Sequence, residues 1–243
     1  MAKRPQKKVM ERHVTQEVDS VFSYLNTLRD NGIVDRSLWY RGIGNASHAL
    51  IPSLFRHKTS VTKADYSRLE QELNATFKMR GFPYTESYKW QGDSWAQLFF
   101  MQHYRVPTRL LDWSGSPLIA LHFALTSTRL NSLGAPETDA AVWVLDPIAW
   151  NVAVYEGTRF DGKVLTPGDE DARLSRYSPE DVYQSPSNFP PVAMRGIHNS
   201  ARIVAQQGFF TIYGPEKKSL EDFFPVKRAK PKNTDSLKTA FLK

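Results

Sequence analysis

The 243-residue chain contains no cysteine. This absence excludes disulfide bonds, a thiolate nucleophile and any zinc site that uses cysteine ligands. No uncharged apolar run approaches the ~20 residues that a membrane-spanning helix needs, and the first residues lack the apolar core of a signal peptide. We therefore predict a cytoplasmic protein without a membrane partner.

Several catalytic motifs are absent as well. The sequence has no Gly-x-Ser-x-Gly, which would place a serine nucleophile on a sharp turn, no P-loop and no Gly-x-Gly-x-x-Gly after a strand. Its 6 histidines are scattered, and none is paired at helical spacing. These absences argue against serine hydrolases, P-loop nucleotidases, dinucleotide dehydrogenases and metal catalysis, so we predict no metal.

The positive charge is concentrated at the two ends of the chain. The formal net charge is +7, of which residues 1–13 carry +4 and residues 225–243 carry +5, so the remainder holds −2. We predict a basic flexible segment at 1–14, one domain at 15–224 and a basic tail at 225–243. Basic tails attract phosphate backbones, so RNA or DNA is a possible acceptor or partner.

Apolar periodicity predicts four helices and three strand segments, the last of which holds two short strands around Gln206–Gly208. The helices are expected at 16–30, 65–80, 94–104 and 117–130, and the strands at 38–43, 141–146 and 201–213. Residues 156–200 show little periodicity, which predicts a long excursion within the domain. The fold class expected is α/β or α+β, with a central mixed sheet flanked by helices.

The stretch from Gln102 to Ala124 places polar and aromatic side chains between two apolar segments. Ser116 and Pro117 have the residue types preferred at a helix start. The apolar run that follows, Leu118–Leu125, is typical of a helix buried in the centre of a domain. Unpaired buried polar groups cost about 1–3 kcal/mol each, so the polar residues before Ser116 either stabilise the core or line a site.

Arg41 lies in a short aromatic segment that is predicted to be a strand. One interpretation is a buried arginine paired to a carboxylate such as Asp112. The other is an anion-binding residue, because a guanidinium presents a planar fork that suits phosphate. Arg56 would add a second positive group nearby, and Gly42 would allow close approach of a backbone or a ligand.

Four motifs together resemble the FRG domain, a family widespread in bacteria and phages. They are Trp39–Gly42 (WYRG), Leu50–Arg56 (LIPSLFR), His103–Trp113 (HYRVPTRLLDW) and Ala205–Phe210 (AQQGFF). The resemblance covers roughly residues 18–213, and the family is named for an aromatic-Arg-Gly motif like the first of these. It implies a domain type but leaves the activity to be argued from the residues.

The order of the polar residues is similar to that of ADP-ribosyltransferases of the Arg-Ser-Glu type. That similarity implies that Arg41 holds an NAD phosphate, that Ser114 or Ser116 supports the nicotinamide pocket, and that the third position falls at Gln206 or Gln207. Two departures stand against it. Glutamine cannot act as a general base, and the Ser motif is predicted to enter a helix where the family has a strand.

We therefore predict an NAD-dependent ADP-ribosyltransferase-like effector, a bacterial toxin or phage-defence protein that modifies a nucleic acid or protein. NAD would be its substrate, and an antitoxin or other defence-system chain is a possible partner. The predicted catalytic residues are Gln207, Gln206, Tyr104 and Asp112. The predicted NAD-binding residues are Arg41, Gly42, Tyr40, His103, Thr108, Arg109, Trp113, Ser114 and Ser116, with Tyr40, Tyr104 or Trp113 stacking on nicotinamide.

Two other functions remain open from the sequence. One is a non-catalytic module that binds a nucleotide, a nucleic acid or a protein in a defence or regulatory system. The other is a metal-independent nuclease that uses His103, Arg109 and Asp112. A purely structural role, in which the same polar groups form a buried network, also accounts for the pattern.

Overall fold

The computed structural model describes residues 16–33, 37–56, 62–85, 93–167, 172–196, 208–223 and 241–242. Five α-helices are present in this part of the chain: α1 Val21–Asp30, α2 Lys63–Thr85, α3 Ser94–His103, α4 Pro117–Thr126 and α5 Pro147–Val154. Short 3-10 helices cover Leu54–Arg56, Ser175–Tyr177 and Leu220–Asp222. The strands are β1 Trp39–Ile43, β2 Leu110–Ser114, β3 Ala141–Leu145, β4 Val192–Arg195, β5 Gly208–Ile212 and the two-residue β6 Phe241–Leu242.

The strands form one sheet in the order β4-β5-β2-β1-β3-β6, and each pair of neighbouring strands is antiparallel. The α+β form of the predicted fold class is therefore confirmed, with helices around a central sheet. We expected a mixed sheet, whereas the sheet is antiparallel. Its helical connections join strands that run in opposite directions.

Three of the strands, β2, β4 and the two-residue β6, were not predicted from the sequence. β2 lies inside the polar stretch that we interpreted as a connection between two helices, and β4 lies inside the predicted excursion at 156–200. In β2, Leu111 and Trp113 alternate with Asp112 and Ser114, so polar side chains share a strand with two buried apolar ones. This alternation is the strand pattern that a search for helical periodicity overlooks.

The sheet buries both of its faces. On one face Trp39 stacks on Phe209 with ring centroids 4.7 Å apart, in a core that also includes Trp113 and Trp143. On the other face α1 and α4 cover β1 and β3, while α3 covers β2 and β5 through Phe99 and its neighbours. The helices of this second face leave space over β1 and β2.

Helix α4 begins as predicted, because the Ser116 hydroxyl accepts a hydrogen bond from the Ile119 amide and Pro117 is its first residue. Its expected burial in the domain centre is wrong. Only Ala120 and Ala124 are buried, whereas larger apolar side chains such as Leu125 are exposed. Small residues face the sheet since the helix backbone itself packs against β1.

The predicted terminal segments stay largely untested. Residues 1–14 and most of 225–243 lie outside the described residues, although β6, within the predicted tail, pairs with β3. In the part of the chain that the structure describes, no helix combines the length and the apolar character needed to span a bilayer.

Candidate functional site

A cleft opens where β1 and β2 separate. These strands are paired only at Tyr40 and Ser114, whereas β1 pairs with β3, and β2 with β5, over five residues each. The cleft has a volume of about 770 Å³ and is lined by both strands, the end of α3 and one side of α4. This volume lies within the ~300–1,000 Å³ typical of small-molecule sites.

Arg41 lies on the wall of this opening. Its Nη1 donates a hydrogen bond to the main-chain oxygen of Asp112 at 2.6 Å and is 3.8 Å from the Asp112 carboxylate oxygen Oδ2. The Nε atom of Arg41 is buried and has no hydrogen-bond partner. Buried donors are normally satisfied, so this N–H leaves the guanidinium with an unmet hydrogen bond, while the 21% of the side chain that stays exposed borders the cleft.

The surroundings of Arg41 also act on its charge. Burial lowers the pKa of its guanidinium, the Asp112 carboxylate opposes that shift, and the positive charge of Arg56 lowers the pKa further. An arginine stays protonated under such conditions. Its positive charge is thus poorly solvated and only partly compensated, which favours binding of an anion.

Asp112 is held from the opposite side by α3. Its Oδ1 accepts a hydrogen bond from the Gln102 side-chain amide at 2.8 Å, and Gln102 in turn accepts one from the Thr108 hydroxyl. The Asp112 side chain is 54% exposed, so its carboxylate is fixed in orientation and still reaches solvent. Thr108 itself is fully buried and is not among the lining residues, so it acts on the cleft through its hydrogen-bond partners Gln102, Leu110 and Ser53.

The cleft lining combines cations with aromatic rings. Its charged and imidazole side chains are Arg41, Arg56, Arg105, Arg129, His48 and His103, opposed by the carboxylates of Asp112 and Glu137. With neutral histidines the lining has a formal charge of +2, in a chain whose residues 14–224 sum to −2. Its aromatic members are Tyr40, Phe99, Trp113, Phe123, Phe209 and Phe210. Such a lining suits an anionic ligand with a flat ring.

Arg109 does not belong to this site. It is fully buried, and its Nε donates to both carboxylate oxygens of Glu70 at 2.9–3.0 Å. Its Nη2 donates to the main-chain oxygen of Tyr177 at 2.8 Å, and Nη1 donates to that of Tyr213. The prediction that Arg109 binds the cofactor is corrected to a role in the core, because its donors are occupied there.

The proposed nuclease trio is consequently not assembled. His103 and Asp112 both line the cleft, but Arg109 is not among the lining residues. Glu70, the partner of Arg109, is four residues after the buried Tyr66 on α2. That spacing puts Glu70 on the apolar stripe of the helix, which was the available signal for a buried ion pair.

Seven of the predicted site residues line the cleft: Tyr40, Arg41, Gly42, His103, Asp112, Trp113 and Ser114. Ser114 is the last residue of β2, and its hydroxyl accepts a hydrogen bond from the amide of Ser116, the N-cap of α4. The Ser motif therefore ends a strand and begins a helix.

Four predicted residues lie elsewhere or outside the described part of the chain. Tyr104 caps the end of α3 and is 49% exposed, but it is not among the cleft-lining residues, and neither is Ser116. Gln206 and Gln207 fall at 197–207, outside the described residues, so their predicted role remains a prediction.

Two of the three predicted stacking residues, Tyr40 and Trp113, have buried rings. The Tyr40 hydroxyl donates to the main-chain oxygen of Ile33 at 3.4 Å, and the Trp113 indole N–H donates to the Thr211 hydroxyl at 3.2 Å. Both side chains are 3% exposed. They form the walls of the cleft, and a ligand ring would meet them at their edges.

The cleft residues that sequence reasoning missed include Gln102, Arg105, Arg129 and Glu137. The last two are brought together by a hairpin in which the Glu137 amide donates to the Arg129 main-chain oxygen at 2.9 Å. Nothing in the local sequence predicts that Arg129 and Glu137 line the cleft, because their hairpin reaches the cleft through tertiary packing. Among the described residues, no group of three or more His, Asp or Glu side chains could hold a metal ion.

Comparison with known proteins gives one finding. Residues 36–132 match the family model of the FRG domain. No curated protein and no solved structure matches the chain. The matched residues include β1, α3, β2 and α4, the elements that enclose the cleft. The resemblance seen in the sequence is thereby confirmed over residues 36–132.

Proposed function

We propose that the cleft between β1 and β2 binds NAD and that the protein is an ADP-ribosyltransferase-like effector. The observation that carries this proposal is Arg41, whose side chain lines the opening between the two strands, is 21% exposed and has a buried Nε without a partner. A guanidinium in that position provides a charge-assisted donor for a phosphate oxygen. Arg56 lines the same cleft and would share the charge of the diphosphate.

The dimensions and lining of the cleft support a dinucleotide. A volume of about 770 Å³ accommodates a ligand of that class. Cationic groups for the diphosphate and aromatic edges for the two ring systems occur in one cavity. The alternation of charged and apolar groups in NAD matches this combination better than a purely apolar or purely anionic ligand would.

The transfer step breaks the glycosidic bond between the nicotinamide nitrogen and C1′ of its ribose. Nicotinamide leaves with the electron pair, positive charge develops at the ribose, and an acceptor nucleophile then bonds to C1′ and releases its proton. A carboxylate near the ribose stabilises that charge and accepts a hydrogen bond from a ribose hydroxyl. Asp112 and Glu137 supply carboxylates to the cleft. One of them would take the role of the glutamate that is absent at positions 206 and 207.

The biological class follows from the family resemblance and the charge distribution. FRG domains occur widely in bacteria and phages, so a toxin or antiviral defence protein is the proposed role. The basic segments at the ends of the chain favour a nucleic acid as acceptor, and a protein acceptor is the alternative. A toxin of this kind would act in the cytoplasm and require an antitoxin partner.

The test is incubation of the purified protein with NAD labelled in its adenylate part, with and without RNA, DNA and cell lysate. We expect nicotinamide release and transfer of label to one acceptor class. Arg41→Gln should lower NAD binding at least ten-fold through loss of a charge-assisted hydrogen bond, and Asp112→Asn should lower turnover more than binding. Arg68→Gln, which removes a charge on the exposed side of α2, is the matched control.

Two results would contradict the proposal. In one, NAD is neither consumed under any condition nor able to raise the melting temperature. In the other, Arg41→Gln and Arg68→Gln transfer label equally well. Circular dichroism of both variants verifies that a loss at Arg41 does not come from unfolding, since Arg41 also bonds to the Asp112 main chain.

A non-catalytic binding module is the second candidate. It is favoured by the engagement of Asp112, whose Oδ1 already accepts the hydrogen bond from Gln102. Under this function a nucleotide, nucleic acid or protein partner binds without turnover. Asp112→Asn and Gln207→Ala would then leave binding unchanged, and no nicotinamide would be released.

A further inference from the structure

Arg105 occupies a backbone position that normally belongs to glycine. The Arg105 amide donates to the Gln102 main-chain oxygen at 3.1 Å, and the Val106 amide donates to that of Met101 at 2.9 Å. These two bonds form a Schellman motif at the end of α3, with Arg105 at the position after the C-cap. Its φ angle is +61°, and among the described residues it is the single non-glycine residue with positive φ.

The left-handed conformation disfavours any residue with a Cβ atom, and glycine avoids the penalty. Strained residues of this kind cluster at ligand sites, where the side chain has a role that offsets the strain. The Arg105 side chain is exposed, lines the cleft and makes no hydrogen bond or ion pair with any described residue. Nothing in the packing of α3 therefore accounts for an arginine at this position.

We infer that Arg105 binds a phosphate group of the ligand at the mouth of the cleft. The identity of that ligand as a nucleotide with a diphosphate rests on the proposed function. His103, two residues earlier, lines the same wall, so the end of α3 presents a guanidinium and an imidazole together. Arg41 and Arg56 lie within the cleft, and Arg105 adds a further cation to the diphosphate site.

A phosphate fits this position better than a carboxylate of a protein partner. The guanidinium fork matches two phosphate oxygens, and an exposed arginine gains little from a single exposed carboxylate. The cleft lining also contains aromatic side chains, including Phe123 and Phe209, which suit the ring of a nucleotide. The ligand class is therefore a diphosphate joined to ring-bearing nucleosides.

The test is Arg105→Gly in the full chain, with binding measured by calorimetry for NAD, for ADP-ribose and for nicotinamide riboside, which has no phosphate. Glycine relieves the backbone strain, so the melting temperature should rise by about 2–4 °C. Affinity for ADP-ribose and NAD should fall about ten-fold or more, with nicotinamide riboside unaffected.

Two further variants separate charge from backbone. Arg105→Asn tolerates the left-handed conformation without the charge and should bind as weakly as Arg105→Gly. Arg105→Lys keeps the charge and should retain part of the affinity. Arg68→Gln, on the outer side of α2, should bind ADP-ribose as the wild type does.

The inference is overturned if Arg105→Gly binds ADP-ribose as tightly as the wild type. It is also overturned if the variant is less stable than the wild type, or if its affinities for ADP-ribose and for nicotinamide riboside fall to the same extent. One further outcome separates the two proposals. If the variant binds ADP-ribose more weakly but the wild type releases no nicotinamide from NAD, Arg105 is a phosphate-binding residue and the transferase proposal is wrong. A wild-type protein that binds none of the three ligands overturns both.

Discussion

Arg41 and Arg109 lie in the same region of the fold, and their surroundings give them different roles. Arg109 is enclosed by Glu70 and two main-chain oxygens, which occupy its donors. Arg41 has a main-chain partner, a carboxylate oxygen at 3.8 Å and an unused Nε. Arg41 lines the cleft, and its predicted role in binding NAD stays a prediction, whereas the position of Arg109 depends on which segment packs against it.

The Glu70–Arg109 ion pair gives a prediction about stability. Glu70→Gln leaves the fully buried guanidinium of Arg109 without a counter-charge, so the free energy of unfolding should fall by about 3–5 kcal/mol. Urea denaturation followed by tryptophan fluorescence measures this change. Arg68→Gln breaks an exposed ion pair with Asp65 and should cost under ~1 kcal/mol. Equal effects of the two variants would refute a stabilising role for the buried pair.

The contact between β1 and α4 is decided by a single glycine. A Cβ atom at Gly42 would lie 1.8 Å from the Ala120 main-chain oxygen and 2.5 Å from the Ala124 amide nitrogen. Because both neighbours are backbone atoms, the helix must move as a whole to make room. The aromatic-Arg-Gly motif thus joins a cleft-lining arginine to a glycine that sets the distance between the strand and the helix.

Gly42→Ala should destabilise the protein by about 3 kcal/mol or more, since overpacking against backbone leaves no flexible side chain to adjust. Gly81→Ala is the matched control, because its Cβ would lie 3.7 Å from the Phe77 ring inside α2. That change should be neutral or stabilising by up to ~1 kcal/mol. Thermal unfolding of both variants gives the comparison. A Gly42→Ala protein as stable as the control would show that α4 is not held against β1.

Elements with one dominant period were predictable, and those with mixed signals were not. Helix α2 was predicted from the apolar stripe of Tyr66, Leu69 and Leu73, and the start of α4 was predicted from Ser116–Pro117. β2 was missed because Asp112 and Ser114 interrupt its apolar residues. The burial of α4 was mispredicted because its composition is apolar on all sides, while its depth depends on the glycine in β1.

At the scale of the whole molecule, the fold class was predictable and the cleft was not. Apolar patterns determine which elements form, so the α+β class follows from them. The cleft depends on β1 and β2 pairing at one residue pair, and strand register over long sequence separations is not encoded locally. Hairpin residues such as Glu137 reach the cleft through the same long-range packing.

Buried tyrosines make the fold sensitive to alkaline pH. Burial raises the pKa of Tyr24, Tyr177 and Tyr213 above the ordinary value of 10. Their stabilising contribution is fully present below pH 10 and is lost as pH rises, because the unfolded chain ionises first. Each should cost about 1.4 kcal/mol per pH unit above 10, so the melting temperature should fall steeply from pH 10 to 11.

Tyr24→Phe tests the origin of this loss. It removes one ionisable group, together with a hydrogen bond to the Pro117 main-chain oxygen, so it should lower stability at pH 7 and flatten the decline above pH 10. Melting temperatures of the variant and the wild type across pH 7–11 give the slopes. Identical slopes would mean that other groups cause the alkaline unfolding.

The single pair that joins β1 to β2 has a further consequence. A continuous sheet presents two outer edges to its surroundings, but this one also has two inner edges, one along β1 and one along β2, which face each other across the opening. A ligand of the kind proposed above would meet main-chain N–H and C=O groups of these edges as well as side chains. Main-chain groups remain in place when a side chain is replaced. Part of the ligand binding proposed for this cleft would therefore not depend on which residues line it.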